Sequence, residues 1–370
     1  MRQPRSTSRR GRFLLLSVIA ALGIAAAACG GDSGSSSATT TTAGSGGTST
    51  TASAAPVDLR LGYFANLTHA PAIVGVDQGI FKDHLGPNVT LKTQVFNAGP
   101  DVVTAILSDA LDISYIGPNP SINGYAQSHG EAVRIIAGST SGGASLVVKP
   151  DITKPADLKG KKLATPQLGN TQDVALRSWL KDNGLTSDTS GGGDVSITPQ
   201  ANADALTAFV NGSIDGAWVP EPWATRMVKE GGGKILVDER DLWPNGQFVT
   251  TDIIVRTKFL DEHPDVVKQF LEGHVAAVDF LNGDSATAQK AVNDGLAKLT
   301  QKPLDAAVLA DAWTRLKFTV DPLAESLQTS AQHAQDVGLL DPVDLKGIYD
   351  LDILNGILSA AGKPTVSGLT

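Results

Sequence analysis

The sequence predicts an α/β fold of two similar halves, each a mainly parallel sheet flanked by helices, and three observations predict it. Short segments with strand-like apolar alternation are followed, again and again, by segments with helical spacing, the pattern of parallel sheets covered by helices. The cycle runs once from about residue 57 and restarts near residue 161. Finally, DVVTAILSDALDISYIGPNP (101–120) matches DALTAFVNGSIDGAWVPEPW (204–223) at an offset of 103 residues.

Ahead of these halves lies a leader. Arg2, Arg5, Arg9, Arg10 and Arg12 precede an apolar run from Phe13 to Ala28 that ends in small residues before Cys29. The run is shorter than the ~20 residues that a bilayer-crossing helix needs, so residues 1–28 read as a signal peptide. Cys29 is the sole cysteine and cannot form an internal disulfide. The stretch AAAAC followed by glycines resembles a lipobox, with Ala26 where leucine is usual, which makes Cys29 the expected lipid-modified residue. Residues 29–56, rich in Ser, Thr and Gly, read as a flexible tether.

The full chain holds 30 basic and 38 acidic side chains. Removing the leader removes five arginines and no acid, leaving a net charge of about −13. Such a balance argues against nucleic acid, which demands a basic face.

The folded part begins with a strand at 57–64 (VDLRLGYF) and a helix at 70–81. A strand at 89–96, a helix at 100–108, a strand at 112–116 and a helix from Pro118 follow, with apolar strands at 132–137 and 144–148. The second cycle places strands at 161–165, 194–198 and 214–218, with helices at 170–182 and 203–210. In both copies of the repeat a proline-rich loop leaves a strand's carboxyl end, where open α/β sheets bind ligands. Proline fixes φ, so Gly117-Pro118-Asn119-Pro120 and Pro220-Glu221-Pro222-Trp223 are stiff loops suited to face one another.

Five segments in order, LGYFANLTHAPAIVGVDQGIF (61–81), ISYIGPNPS (113–121), DLKGKKLATP (157–166), IDGAWVPEPWAT (214–225) and FVTTDIIVRTKFLDEHPDVVKQFL (248–271), resemble the extracytoplasmic substrate-binding proteins of ABC importers, nearest the nitrate, taurine and aliphatic sulfonate branch. The resemblance implies a two-lobed periplasmic-binding-protein-like fold (type II) that clamps a solute between lobes. It implies chain crossings near 138–145 and 246–252, so that 57–140 plus 252–370 form lobe one and 145–246 lobe two. The C-terminal helices from Pro264 through Ala360 are expected to pad lobe one. It further implies a small anionic solute, a membrane permease with its cytoplasmic ATPase as partner, a monomer, and no cofactor.

Candidate ligand contacts follow from position. Asn66, Thr68 and His69 follow the first strand, where Asn and Thr could equally form a helix cap; in the resembling family this loop lines the cleft. Asn97 follows the second strand with the same ambiguity. Asn119 and Ser121 sit at a helix start, as do Asn170, Thr171 and Gln172, and helix N-termini favour anions. Ser139 and Thr140 add hydroxyls near the expected crossing. Trp223 is expected to form a cleft wall. Glu221 either caps its helix, points away, or meets a positive group on the ligand.

Two alternatives share the fold: a binder of a thiamine-pathway pyrimidine stacked on Trp223, and a small-metabolite enzyme. Enzymatic signatures are poor. The run 138–142 mimics GxSxG but carries Thr140 at the centre, P-loop and GxGxxG fingerprints are missing, and the six histidines show no metal-ligand spacing.

Overall fold

A computed structural model describes residues 55–369; the expected signal peptide, Cys29 and nearly all of the expected tether lie outside the described residues. The chain runs β1 (Val57–Phe64), α1 (Ala70–Asp77), α2 (Ile80–Leu85), β2 (Val89–Phe96), α3 (Gly99–Leu107), β3 (Ile113–Ile116), α4 (Pro118–Gln127) and β4 (Val133–Gly142). It continues with β5 (Ala144–Val148), β6 (Lys162–Thr165), α5 (Thr171–Asp182), β7 (Ser196–Pro199), α6 (Asn202–Val210), β8 (Gly216–Pro220), α7 (Trp223–Lys229) and β9 (Lys234–Asp238). The remainder is β10 (Val249–Arg256), α8 (Thr257–Glu262), α9 (Pro264–Leu281), α10 (Ser285–Thr300), α11 (Ala306–Trp313), β11 (Leu316–Phe318), α12 (Ala324–Asp336) and α13 (Asp352–Ala360).

Two sheets form, one in the order β11-β4-β10-β3-β1-β2 and one in the order β7-β6-β8-β5-β9. The strands joined by helices pair in parallel, β1 with β2 and β3, and β6 with β7 and β8. The strands that carry the chain between sheets enter antiparallel: β10 beside β3 and β4, and β5 beside β8 and β9. Each sheet is therefore mixed, a departure from the mainly parallel expectation that the returning strands explain.

The repeat is matched in the elements. Helices α3 and α6 occupy 99–107 and 202–210, the same bounds at the offset of 103. One expected helix, 70–81, is two: Gly79 adopts φ of +77 between α1 and α2. That left-handed conformation suits glycine and ends the first helix.

Alternation on β1 buries Leu59, Leu61 and Tyr63 against Ile73 and Val74 of α1 and Phe270 and Leu271 of α9. In the second sheet Trp218 is fully buried on β8, edge-on to Trp179 of α5 with ring centroids 6.2 Å apart. The first passage between sheets leaves a single residue, Gly143, between the strands. Strand β4 runs beyond the expected 132–137 as far as Gly142, and Gly142 and Gly143, both at φ of +76, lead straight into β5. The C-terminal helices do more than pad one lobe. Helix α12 packs on α4 and also on α5, and α11 packs on α7, so both reach the second sheet's layer.

Candidate functional site

The carboxyl ends of β1, β2, β3, β6, β7 and β8 converge on a cavity of about 20 Å³, room for about one water molecule. One side is formed by Phe64, Asn66, Thr68, His69, Asn97, Gly117 and Thr250, the other by Pro166, Asn170, Thr171, Gln172, Asn202 and Pro220. Parallel strands that all end on one rim deliver their following helices to that rim. The N-termini of α3, α4, α5 and α6 therefore meet there, each bringing the positive end of a helix dipole, although Pro118 and Pro120 remove two of the first N–H groups of α4.

Several of these side chains keep a donor free because their acceptors are used elsewhere, whereas Thr250 Oγ1 spends its own donor on the Gly142 carbonyl. His69 Nδ1 accepts from the Phe64 backbone N–H at 3.4 Å, which puts the proton of the neutral ring on Nε2. Burial pushes its pKa down to about 3, so it is a neutral donor at any ordinary pH. Asn66 Oδ1 accepts from Trp223 Nε1 at 2.8 Å. An indole N–H only donates, so the amide's NH₂ is turned to the other side. Across the cavity the Gly99 N–H donates to Asn170 Oδ1 at 3.4 Å, and Asn170 Nδ2 donates to Gln172 Oε1 at 3.0 Å, which leaves the Gln172 NH₂. Thr171 Oγ1 and Asn202 Oδ1 are buried without a partner among the described residues.

The start of α5 is held by Asp173. Its buried carboxylate accepts from Thr165 Oγ1 at 2.8 Å, Gly169 N at 3.0 Å and Arg177 Nε at 3.0 Å. Those bonds lock the turn that presents Thr171 and Gln172. Among the described residues no lysine, arginine, aspartate or glutamate lines the cavity. None of their His, Cys, Asp and Glu residues groups as a metal site.

Seven of the expected contacts, Asn66, Thr68, His69, Asn97, Asn170, Thr171 and Gln172, come together on this wall. The other six expected protein contacts lie outside it, each for a local reason. Asn119 turns its Nδ2 to the Ser330 carbonyl on α12 at 3.0 Å, and Ser121 Oγ donates back to the Gly117 carbonyl at 2.9 Å. Ser139 and Thr140 are buried within β4, with hydroxyls unpartnered among the described residues. Glu221 is wholly buried and faces its own helix: Oε2 accepts from Thr225 N at 3.1 Å, Oε1 from Thr225 Oγ1 at 2.9 Å, and Arg315 Nη1 stands 3.5 Å away. Burial pushes the Glu221 carboxyl up, opposed by Thr225 and then by Arg315. Trp223 reaches Asn66 instead of forming the wall, and the Arg226 guanidinium covers its ring at 4.9 Å.

Sequence reasoning missed Phe64, Pro166, Asn202 and Thr250, while Gly117 and Pro220 belong to the two proline-rich loops expected to face one another. The repeat could have found Asn202, since the offset of 103 carries Gly99, at the head of α3, onto it. Thr250 lies on a returning strand outside either cycle and carried no such signal. Two residues further on β10, Asp252 is buried outside the wall, and desolvation pushes its carboxyl well above the usual range.

Comparison with solved structures places the fold. The alkanesulfonate-binding protein SsuA from Xanthomonas axonopodis pv. citri bound to MOPS superposes with a TM-score of 0.65 at 21% identity, covering 78% of this chain and 96% of that one. The periplasmic nitrate-binding protein NrtA from Synechocystis PCC 6803 gives 0.68 at 16% identity, covering 84% and 90%. In sequence, the taurine-binding periplasmic protein of Escherichia coli strain K12 is 30% identical over 207 residues, 56% of this chain. That match spans 62% of the relative's own length. The model of the NMT1-like family matches residues 52–294, most of the folded part, and the chain belongs to that family.

Proposed function

We propose that this chain is the solute-binding component of an ABC importer, and that it captures a small oxyanion between its two lobes, an aliphatic sulfonate first, with taurine and nitrate next. The observation that carries the reading is the polarity of the cavity wall. Two amides and a neutral imidazole have their acceptors engaged elsewhere, a hydroxyl stands unpartnered, and four helix N-termini close in around them. Such groups bind an anion through N–H, O–H and helix dipoles with no buried cation. The names of the taurine-, alkanesulfonate- and nitrate-binding relatives support the same class.

A space of about 20 Å³ holds about one water as it stands, so a sulfonate head group requires its walls to part and a ring requires them to part further. A pyrimidine stacked on Trp223 finds no support, because the indole N–H is bonded to Asn66 and its face is covered by Arg226. With no carboxylate on the wall and Glu221 turned to Thr225, an ammonium group on the solute has no partner there. A plain alkyl sulfonate is thus favoured over taurine.

The same proposal assigns 57–140 plus 252–370 to lobe one and 145–246 to lobe two. It places the protein outside the cytoplasm as a monomer, exported by residues 1–28 and held to the membrane by a lipid on Cys29 through the tether of residues 29–56. From there it would deliver the solute to the permease subunits and their ATPase. The periplasmic relatives and the composition of the leader support it.

Thermal-shift measurements with ethanesulfonate, taurine, nitrate and bicarbonate test the ligand class. A solute bound at 100 times its Kd adds about 2.7 kcal/mol to the folded state. Ethanesulfonate is expected to raise Tm most, and Glu221→Gln is expected to leave the ranking of ethanesulfonate and taurine unchanged. No shift with any of the four would overturn the reading.

A further inference from the structure

Asn66 and Trp223 stand on opposite sides of the cleft, one on the loop that follows β1 and the other at the head of α7, after β8. Their side chains meet at 2.8 Å, and alongside them the Leu67 N–H donates to the Glu221 carbonyl at 3.0 Å. Asn66 precedes a 3-10 turn without using its side chain to cap it, and it is 6% exposed. Free of a partner, a primary amide can present either its oxygen or its NH₂ to a neighbour, since the two ends are nearly the same size. An indole N–H has one role only. When it approaches from the second lobe it can engage only the oxygen, and the NH₂ is then directed away from it.

We propose that Trp223 is a positioning residue for ligand capture: by bonding Asn66 across the cleft it turns the Asn66 NH₂ toward the bound oxyanion, so that lobe contact and donor alignment form as one event. The inference rests on the oxyanion reading of the cavity. The arrangement is mirrored on the other side, where the Gly99 N–H of the first lobe engages Asn170 Oδ1 of the second and directs the Asn170 NH₂ onto Gln172. Each lobe thus orients an amide that belongs to the other. With the lobes apart both amides are free to rotate, and an oxyanion meeting Asn66 oxygen-first is repelled. Preorganisation of the donor appears only on contact, which ties affinity to closure.

The test uses the full-length protein and whichever of ethanesulfonate, taurine and nitrate gives the largest thermal shift. Trp223→Phe removes the N–H and keeps an aromatic body. It is expected to weaken binding about tenfold, the cost of leaving the buried Asn66 oxygen without a donor once its NH₂ is turned to the oxyanion. The loss should lie in faster dissociation, with association unchanged and the ligand-free Tm within about 2 °C of wild type. Asn66→Asp, which keeps an acceptor for the indole and removes the donor, is expected to abolish binding. In an Asn66→Ala background Trp223→Phe should cost nothing further. Unchanged affinity in Trp223→Phe overturns the proposal, as do penalties that simply multiply in the double variant, the outcome for a merely structural residue. If the wild type binds none of the three probes, the oxyanion reading itself fails and this inference falls with it.

Discussion

Glu239 follows β9 with its carboxyl buried beside two indoles. Burial pushes its pKa up to about 7, while Trp218 Nε1, donating to Oε2 at 2.7 Å, and Trp243 pull it down. An acid whose pKa is raised on folding stabilises the fold fully below its ordinary value near 4.5 and loses that contribution as pH rises through 7. The loss amounts to roughly 3 kcal/mol across the window. His274 acts in the opposite sense: buried and held near pKa 4, it lowers stability as pH falls below 6.5. Glu239→Gln is therefore expected to gain on the wild type steadily from pH 4.5 to pH 7. Melting curves of both proteins across that range check this, and a constant difference in Tm would contradict it. At this scale the sequence was legible in residue type and only partly in direction. Helix starts at Asn119 and Asn170 looked alike, yet Asn170 faces the cavity while Asn119 is drawn to the Ser330 carbonyl, because α12 packs on α4. Nothing local in either sequence reveals which helix will lie alongside.

Among the elements, the passage from β4 to β5 places the severest demand on backbone shape. A side chain at Gly142 would meet both a left-handed φ of +76 and the Arg315 carbonyl oxygen at 2.5 Å. Gly160 offers a control, with φ of +74 and nothing within 4 Å. Gly160→Ala should cost about 1 kcal/mol for conformation alone. Gly142→Ala should cost 1–3 kcal/mol more on the order of a small overpacking clash. Denaturant unfolding of both variants measures the difference, and equal costs would show that the β11 segment yields freely. The elements inside each cycle were legible because strand and helix periods alternate there and the repeat confirms their spacing. The mixed character of the sheets was not. Strand β10 arrives from the other lobe after a gap of 3-10 turns, and direction of arrival leaves no mark on an apolar run. The reach of α11 and α12 onto α7 and α5 was hidden for the same reason.

For the molecule as a whole, the proposed recognition rests on groups that do not titrate near neutrality. With His69 held near pKa 3, the affinity for ethanesulfonate is expected to stay flat from pH 5 to pH 8. Tightening toward pH 6, read by calorimetry, would mean that an imidazolium does the binding and would overturn the neutral-donor account. The acidic sequence is in keeping with this, since a chain with 38 acids against 30 bases would gain from an anion site built without cations. Neutral walls also decide how such a molecule fares in brine. Fixed charges lose their reach as ions gather, with a screening length of about 10 Å at 0.1 M that shrinks to about 3 Å at 1 M. Amide, hydroxyl and imidazole donors at contact distance have no ion cloud to lose. Apart from direct competition by the salt's own anion and the screening of the helix dipoles, a receptor lined in this way would keep its hold on the solute in seawater.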